Sequence, residues 1–341
     1  MGGAIFNMGG DLNLTNSTLA DNRAMGGNST IGGGHGGSAF GGAIFNLDGT
    51  VTILFSTLAD NSVIGGQGGD NFVDGSSGIG VGGALYNLTY GTFPPSAPQT
   101  ATVTIHDSIA DELDNDGGGT ITLNGPNLVN YAGDPQLGPL ANYGGSTPTL
   151  APAGTSPAYQ AGAPVSGITT DQRGLTRSTT TPTLGAVEIQ TSTTAVTSNP
   201  TVSYNSAKQT VTVTASVSST ETVNNGTVTF SISGAGPNVQ ANVVNGQASA
   251  VFTINAATAA GQYTITAAYS GFGFTNSAST PSTDGVLTIS SLSNPASTTT
   301  TAGNTTTACT APQKLGAWES GNTLMIRRHH HGEAEDILSR V

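Results

Sequence analysis

The sequence predicts an all-β chain, a right-handed parallel β-helix over residues 1–130 followed by an immunoglobulin-like β-sandwich over 191–290, and three observations predict it. A GGAIFN unit returns at intervals of 39 and 41 residues in the first third of the chain. Aliphatic residues alternate with Ser and Thr at a period of two through 192–290. Only 8% of the residues are charged, about a third of the ~25% usual for globular domains, and Glu and Lys, both good helix formers, are scarce.

Thr, Ser, Asn and Gly therefore take over solvation of the surface. The net charge of −12 argues against a nucleic-acid or anionic-membrane partner, since both are held by clustered Lys and Arg. Only eight basic residues exist, and four of them lie beyond residue 313. Cys309 is the only cysteine, which excludes an intrachain disulfide framework and a Cys-based zinc site. A cytosolic protein and a secreted bacterial one both fit that count. No run of roughly 18 apolar residues is present, so no segment spans a membrane as a helix.

The repeat is read first. GGAIFN stands at 2–7 and 41–46 and GGALYN at 82–87, while NSTLADN at 16–22 returns as FSTLADN at 55–61 and as DSIADEL at 107–113. Each unit consists of strands too short to stand alone, separated by turns. Stacked in register at about 4.8 Å, they align Ile5, Ile44 and Leu85 as an aliphatic ladder and Asn7, Asn46 and Asn87 as an amide ladder. Ala4 and Phe6 fall on the opposite face. The Gly-rich stretches 26–37 and 65–83 are too long for tight turns; they are loops extruded from the helix, or each hides a second short rung. Met1 runs straight into a repeat instead of a basic, apolar leader. The chain is thus expected to start mid-architecture, with upstream rungs and an export signal outside it.

A Pro-punctuated, non-repetitive stretch at 131–190 sits where a solenoid needs a cap on its last, adhesive strand edge. The sandwich signal comes from Val211, Val213, Ala215 and Val217, then Val228, Phe230 and Ile232, then Ala250, Phe252 and Ile254, and lastly Tyr263, Ile265, Ala267 and Tyr269. Asn225-Gly226, Asn245-Gly246 and Asp284-Gly285 are hairpin-type dipeptides, giving about seven strands without a disulfide. Residues 291–341 read as a disordered or irregular tail. It begins with a Ser/Thr/Asn tract that buries nothing, and its last part, from Ala317, has the makings of one short helix.

These motifs carry a family resemblance. The repeats of 1–130 resemble the right-handed β-helices of bacterial surface proteins, including the polymorphic outer-membrane protein type. Asp134-Pro135-x-Leu137-Gly138-Pro139-Leu140, Asn142-x-Gly144-Gly145-x-Thr147-Pro148-Thr149, Gly154-x-Ser156-Pro157-Ala158, Asp171-Gln172-Arg173-Gly174 and Leu184-Gly185-Ala186-x-Glu188 together resemble the module of choice-of-anchor Q surface proteins. Gly226-Thr227-Val228-Thr229-Phe230 and Gly261-x-Tyr263-Thr264-Ile265-Thr266-Ala267-x-Tyr269-Ser270-Gly271 are similar to bacterial Ig-like repeats. The resemblances cover residues 2 to 290 and imply an exported, cell-surface protein. They name no ligand, and no sorting motif or aromatic barrel-type terminus accompanies them.

Chemistry is weighed residue by residue. A polysaccharide lyase needs a strong base, yet Arg23 is the only Lys or Arg among the first 130 residues, beside two histidines. A glycosidase needs convergent carboxylates, whereas Asp21, Asp60 and Asp111 recur at equivalent repeat positions, as turn residues do. His106 with Asp107 and Asp111 sketches a catalytic group or a solvated strand end. Calcium has two weak candidates. One is Gly65-Gly66-Gln67-Gly68-Gly69-Asp70-Asn71-Phe72-Val73, whose near copy Gly33-Gly34-His35-Gly36-Gly37-Ser38 lacks the carboxylate. The other is Glu112-Leu113-Asp114-Asn115-Asp116-Gly117, without a closing acid at Leu123. Phe6, Phe45 and Tyr86 form a stripe that stacks on sugars or packs under a loop. His329-His330-His331 beside Arg327-Arg328 is read as incidental.

The expectation is a non-enzymatic secreted or cell-surface β-solenoid protein for adhesion or display, a monomeric module of a larger protein with the sandwich as spacer. No catalytic, cofactor or metal residue is assigned, and a host, matrix or polysaccharide surface is the partner. The alternative is a carbohydrate-binding or glycosidase-like β-helix.

Overall fold

The computed structural model describes residues 1–69, 75–91 and 99–291, with two further strands at Ala317–Ser320 and Thr323–Ile326. Its regular structure is all β, and among the described residues no helix is long and apolar enough to cross a membrane. Residues 1–292 form one compact unit and 293–341 a second.

Within the first unit, three parallel sheets each take one strand from each of four successive rungs. The first sheet holds Ile5–Met8, Ile44–Leu47, Leu85–Leu88 and Leu113–Asp116. In the second lie Asp11–Thr15, Thr50–Leu54, Thr102–His106 and Thr120–Asn124. Thr18–Ala20, Thr57–Ala59, Ile109–Ala110 and Leu128–Val129 make the third. Register is kept residue for residue, so Ile5, Ile44, Leu85 and Leu113 form one column. All three sheets turn aliphatic side chains to one core, which includes Ile44, Leu85, Val51, Ile53, Val103, Ile105, Leu58 and Ala110.

The expected amide ladder is present and runs one rung further than the repeat suggests. Asn7, Asn46 and Asn87 each donate from Nδ2 to the next amide oxygen at 2.7 Å, the last acceptor being Asn115. An amide suits this column because it both donates and accepts, so a buried row of them satisfies itself. The corner beside it must be glycine: a Cβ on Gly49 would lie 2.4 Å from Asn7 Nδ2. A second polar ladder marks the next corner. Ser17 N donates to Ser56 Oγ at 3.2 Å, Ser56 N to Ser108 Oγ at 3.0 Å, and Ser108 N to Asn127 Oδ1 at 2.9 Å.

The Gly-rich stretches leave the stack, and they bind each other. Gly36 N donates to Ser76 O at 3.0 Å, Gly66 N to Gly37 O at 2.8 Å and Gly69 N to Gly34 O at 2.9 Å, while Ala39–Phe40 pairs in parallel with Gly80–Val81. Backbones approach so closely that a Cβ on Gly66 would sit 2.0 Å from Gly27 O. Glycine is required here by packing, not only by turn geometry.

Residues 131–190 lie along the side of the stack. Thr149 and Gln172 meet Thr18 on the first rung at 2.7 and 2.6 Å, and Ala186 N donates to Thr57 Oγ1 on the second at 3.0 Å. Ala158 and Leu184 pack on Ile109 and Leu128 of the third and fourth rungs. The stretch expected to close the last rung thus straps all four, while Leu113, Ile121 and Val129 on that rung remain only partly buried.

The later strands build two sheets over one core. Thr193–Val196, Gln209–Ser218 and Gln247–Ile254 are antiparallel. Opposite them lie Thr201–Ser203, Gly285–Ser290, Gly261–Ser270, Thr227–Ile232 and Val239–Asn242, with Ser277–Ala278 on the side. Val213, Phe230, Phe252, Ile265 and Tyr269 fill the core between the two. Asn245 and Gly246 have φ of 51° and 71°, as a type I′ hairpin turn demands; Gly285 instead opens a strand. A loop from this part inserts into the strap. Gly273 N donates to Pro152 O at 2.8 Å, and Phe272 meets Tyr143 edge-on at 6.2 Å.

In the second unit Ala317–Ser320 pairs antiparallel with Thr323–Ile326. This corrects the short helix expected from Ala317 onward. Trp, Thr and Ile around Gly321-Asn322, a hairpin-type dipeptide, favour paired strands.

Candidate binding surface

The sketched catalytic group is not brought together. His106 Nδ1 is hydrogen-bonded to its neighbour Asp107, which is fully buried with φ of 49°. The other oxygen of Asp107 accepts from Ala163 N at 2.7 Å, and its carbonyl accepts from Gly185 N at 2.8 Å. Asp107 is thereby a tie between the stack and the strap. Asp111 lies at the following corner, where its Oδ2 accepts from Asp60 N at 2.7 Å. Burial raises the Asp111 pKa, that backbone hydrogen bond opposes the rise, and the Asp60 charge adds to it. Asp21 and Asp60 stand at φ of 58° and 60°, so these two of the three recurrent aspartates are turn residues in the left-handed region.

The two calcium candidates fare differently. Asp70–Val73 of the nonapeptide lie outside the described residues, as do Cys309 and His329–His331. Leu113–Asp116 are a strand, not a loop folded round a cation: Asn115 joins the amide ladder, and Asp116 accepts from Tyr86 Oη at 3.0 Å. Leu123 lies on a strand of the second sheet. Among the described residues no three His, Cys, Asp or Glu side chains gather as a metal would need.

Of the two readings of the aromatic stripe, packing is the one observed. Phe6, Phe45 and Tyr86 stack with centroids 5.4 and 5.5 Å apart, and Phe40, returning from the Gly-rich excursion, lies 4.7 Å from Tyr86. Phe45 and Tyr86 are buried, leaving Phe6 as the exposed end. Burial and the hydrogen bond to Asp116 push the Tyr86 hydroxyl up to about 12.

One cluster escaped the sequence reading. Asp171, Arg173, Arg177 and Glu188 are all buried inside the strap. Asp171 holds Arg173 at 2.8 Å, and Arg173 also donates to the Glu188 carbonyl. Arg177 donates to Asn16 Oδ1 at 2.9 Å and stacks its guanidinium 4.2 Å over Phe55, reaching the corners of two rungs. Its approach to Glu188 is long, 3.5 Å. Burial lowers Arg177 to about 10 and raises Glu188, so desolvation outweighs the attraction between them. Asp171, Arg173 and Glu188 stood inside quoted motifs, but Arg177 did not, and no local pattern reveals its partner Asn16, 161 residues away.

Two surface features of the stacked rungs are open to a ligand. A cavity of about 370 Å³ opens at the end of the third sheet, lined by Asp111, Glu112, Asn130, Tyr131 and Leu128 among others. The second is the outer face of the second sheet. Its register puts Thr50, Thr102 and Thr120 in one column and Thr52, Thr104 and Thr122 in the next, all exposed or half-buried. The TxT spacing was legible in the chain, but only the register turns it into a grid.

Compared with family models, curated proteins and solved structures, the chain finds no significant match.

Proposed function

We propose that the chain is a non-enzymatic exported or cell-surface protein that displays one face of a solenoid for adhesion. In this reading the four stacked rungs are a right-handed parallel β-helix, the strap is a choice-of-anchor Q-like module, and the two-sheet part is a bacterial Ig-like spacer. One observation carries it: equivalent positions bear the same chemistry rung after rung, and the aspartates, asparagines and aromatics that might have served catalysis are engaged in turns, ladders and ties. A repeated face offers many weak, equivalent contacts, which is how multivalent attachment gains strength. Passing the purified chain over immobilised matrix protein and polysaccharide tests it. Saturable retention is expected, weakened by substitution on the stacked rungs and unchanged by Thr212→Arg on the two-sheet part. Retention lost only with Thr212→Arg would assign binding to the sandwich and contradict the reading.

The cavity favours a second reading, a carbohydrate-active surface, since it joins carboxylates, an amide and an exposed tyrosine, the groups that hold a sugar. Sugar released from a polysaccharide panel, and abolished by Asp111→Asn, would place this reading ahead of adhesion.

A further inference from the structure

We propose that the threonine grid on the second sheet binds ice. Six threonines stand in two columns across three consecutive rungs, with Val51, Val103 and Ile121 between them pointing into the core. Parallel pairing spaces the rungs at about 4.8 Å, and alternate residues along a strand lie about 6.6 Å apart. The resulting rectangle of hydroxyls and methyls is close to the repeat of water oxygens on a prism face of ice. Among the described residues none of these six hydroxyls has a hydrogen-bond partner within the protein. Threonine is stiff about its first side-chain torsion, so the array is held before any ligand arrives. Charge, which orders water radially, is missing from these three rungs of the grid; Asp11 and Asn13 end it on the first rung.

Ice is preferred to a crystalline polysaccharide because this grid holds no aromatic ring on which a sugar can stack. The two-sheet part supplies a contrast. Thr210, Thr212 and Thr214 lie on one strand there, but their cross-strand partners are Thr253, Val251 and Ser249, so no lattice forms.

The inference takes from the adhesion reading only that the stacked face is the working surface. Its test is partition of the full chain into a slowly growing ice crystal, with freezing-point hysteresis read on the same samples. Wild type should enter the ice and lower the freezing point below the melting point. Thr104→Lys, at an outward position, should lose both, and Thr212→Lys should lose neither. Circular dichroism and unfolding midpoints confirm that the variants are folded; if Thr104→Lys is not, Thr52→Lys replaces it. Exclusion of wild type from ice would overturn the proposal, as would a folded Thr104→Lys that partitions fully. Retention on insoluble cellulose or chitin, lost with Thr104→Lys, would give the grid to a polysaccharide and overturn it too. Retention of wild type on matrix protein, measured apart from ice, tests the adhesion reading separately.

Discussion

Asn46 sits at the centre of the amide ladder, fully buried, donating to Asn87 and accepting from Asn7. Asn46→Ala would strand a donor below it and an acceptor above it, each costing about 1–3 kcal/mol when left unpaired. A loss of about 3 kcal/mol in denaturant unfolding is expected, and a loss near zero would mean that the ladder is not formed. Asp111 carries a pH prediction. Its folded pKa is raised, so its contribution is complete below the ordinary carboxylate value of about 4 and is lost as pH rises through the folded value. Wild type should therefore lose stability relative to Asp111→Asn as pH rises from about 4, measured as unfolding midpoints across pH. Asn46 and Asp107 mark what the chain discloses locally. Asn46 was legible because three asparagines share one motif position; the role of Asp107 was not, because its partners Ala163 and Gly185 lie in a stretch without period.

At the scale of elements, the strands of the first three rungs are written in the repeat, and the fourth is not. Leu113-x-Asn115 and Thr120-x-Thr122 copy the pattern of Leu85-x-Asn87 and Thr102-x-Thr104, but only 28 residues separate Leu113 from Leu85, so interval counting passes over it. Acidic residues at 112–116 then resemble a calcium loop, although backbone pairing makes them a strand. The Gly-rich excursions read either as extruded loops or as hidden short rungs; their mutual hydrogen bonds and the pairing of Ala39–Phe40 with Gly80–Val81 follow from the absence of side chains, which no periodicity announces. Gly66→Val would force apart Gly66 and Gly27, whose carbonyl would meet the new Cβ at 2.0 Å. Faster amide exchange at Gly37 and Gly78 is expected, with the strands of the core unchanged. Equal exchange in wild type and variant would contradict this packing.

For the first unit as a whole, no single core spans stack, strap and two-sheet part: the stack and the sandwich each have their own, and two small apolar clusters, one at Ile109 and one at Phe272, join the strap to each of them beside the polar ties. Arg177 is the clearest tie. Arg177→Met removes the cation beside buried Glu188, which keeps its hydrogen bonds from Thr183 N and Ser178 N, and should cost about 3–5 kcal/mol; replacing both by apolar residues of similar size should recover only part of it, because those two N–H groups then lose their acceptor. Thermal unfolding of the single and double variants checks this, and a silent single variant would show that the strap is held elsewhere.

Everything proposed for the surface depends on successive rungs standing in register, and spin labels read that directly. In a Cys309→Ser background, cysteines at Thr52 and Thr104 would carry labels on neighbouring strands about 4.8 Å apart. Strong dipolar broadening of the resonance lines is predicted. Sharp lines, matching the sum of the two singly labelled proteins, would show that these threonines are not neighbours and would contradict both the stacked face and the grid built on it.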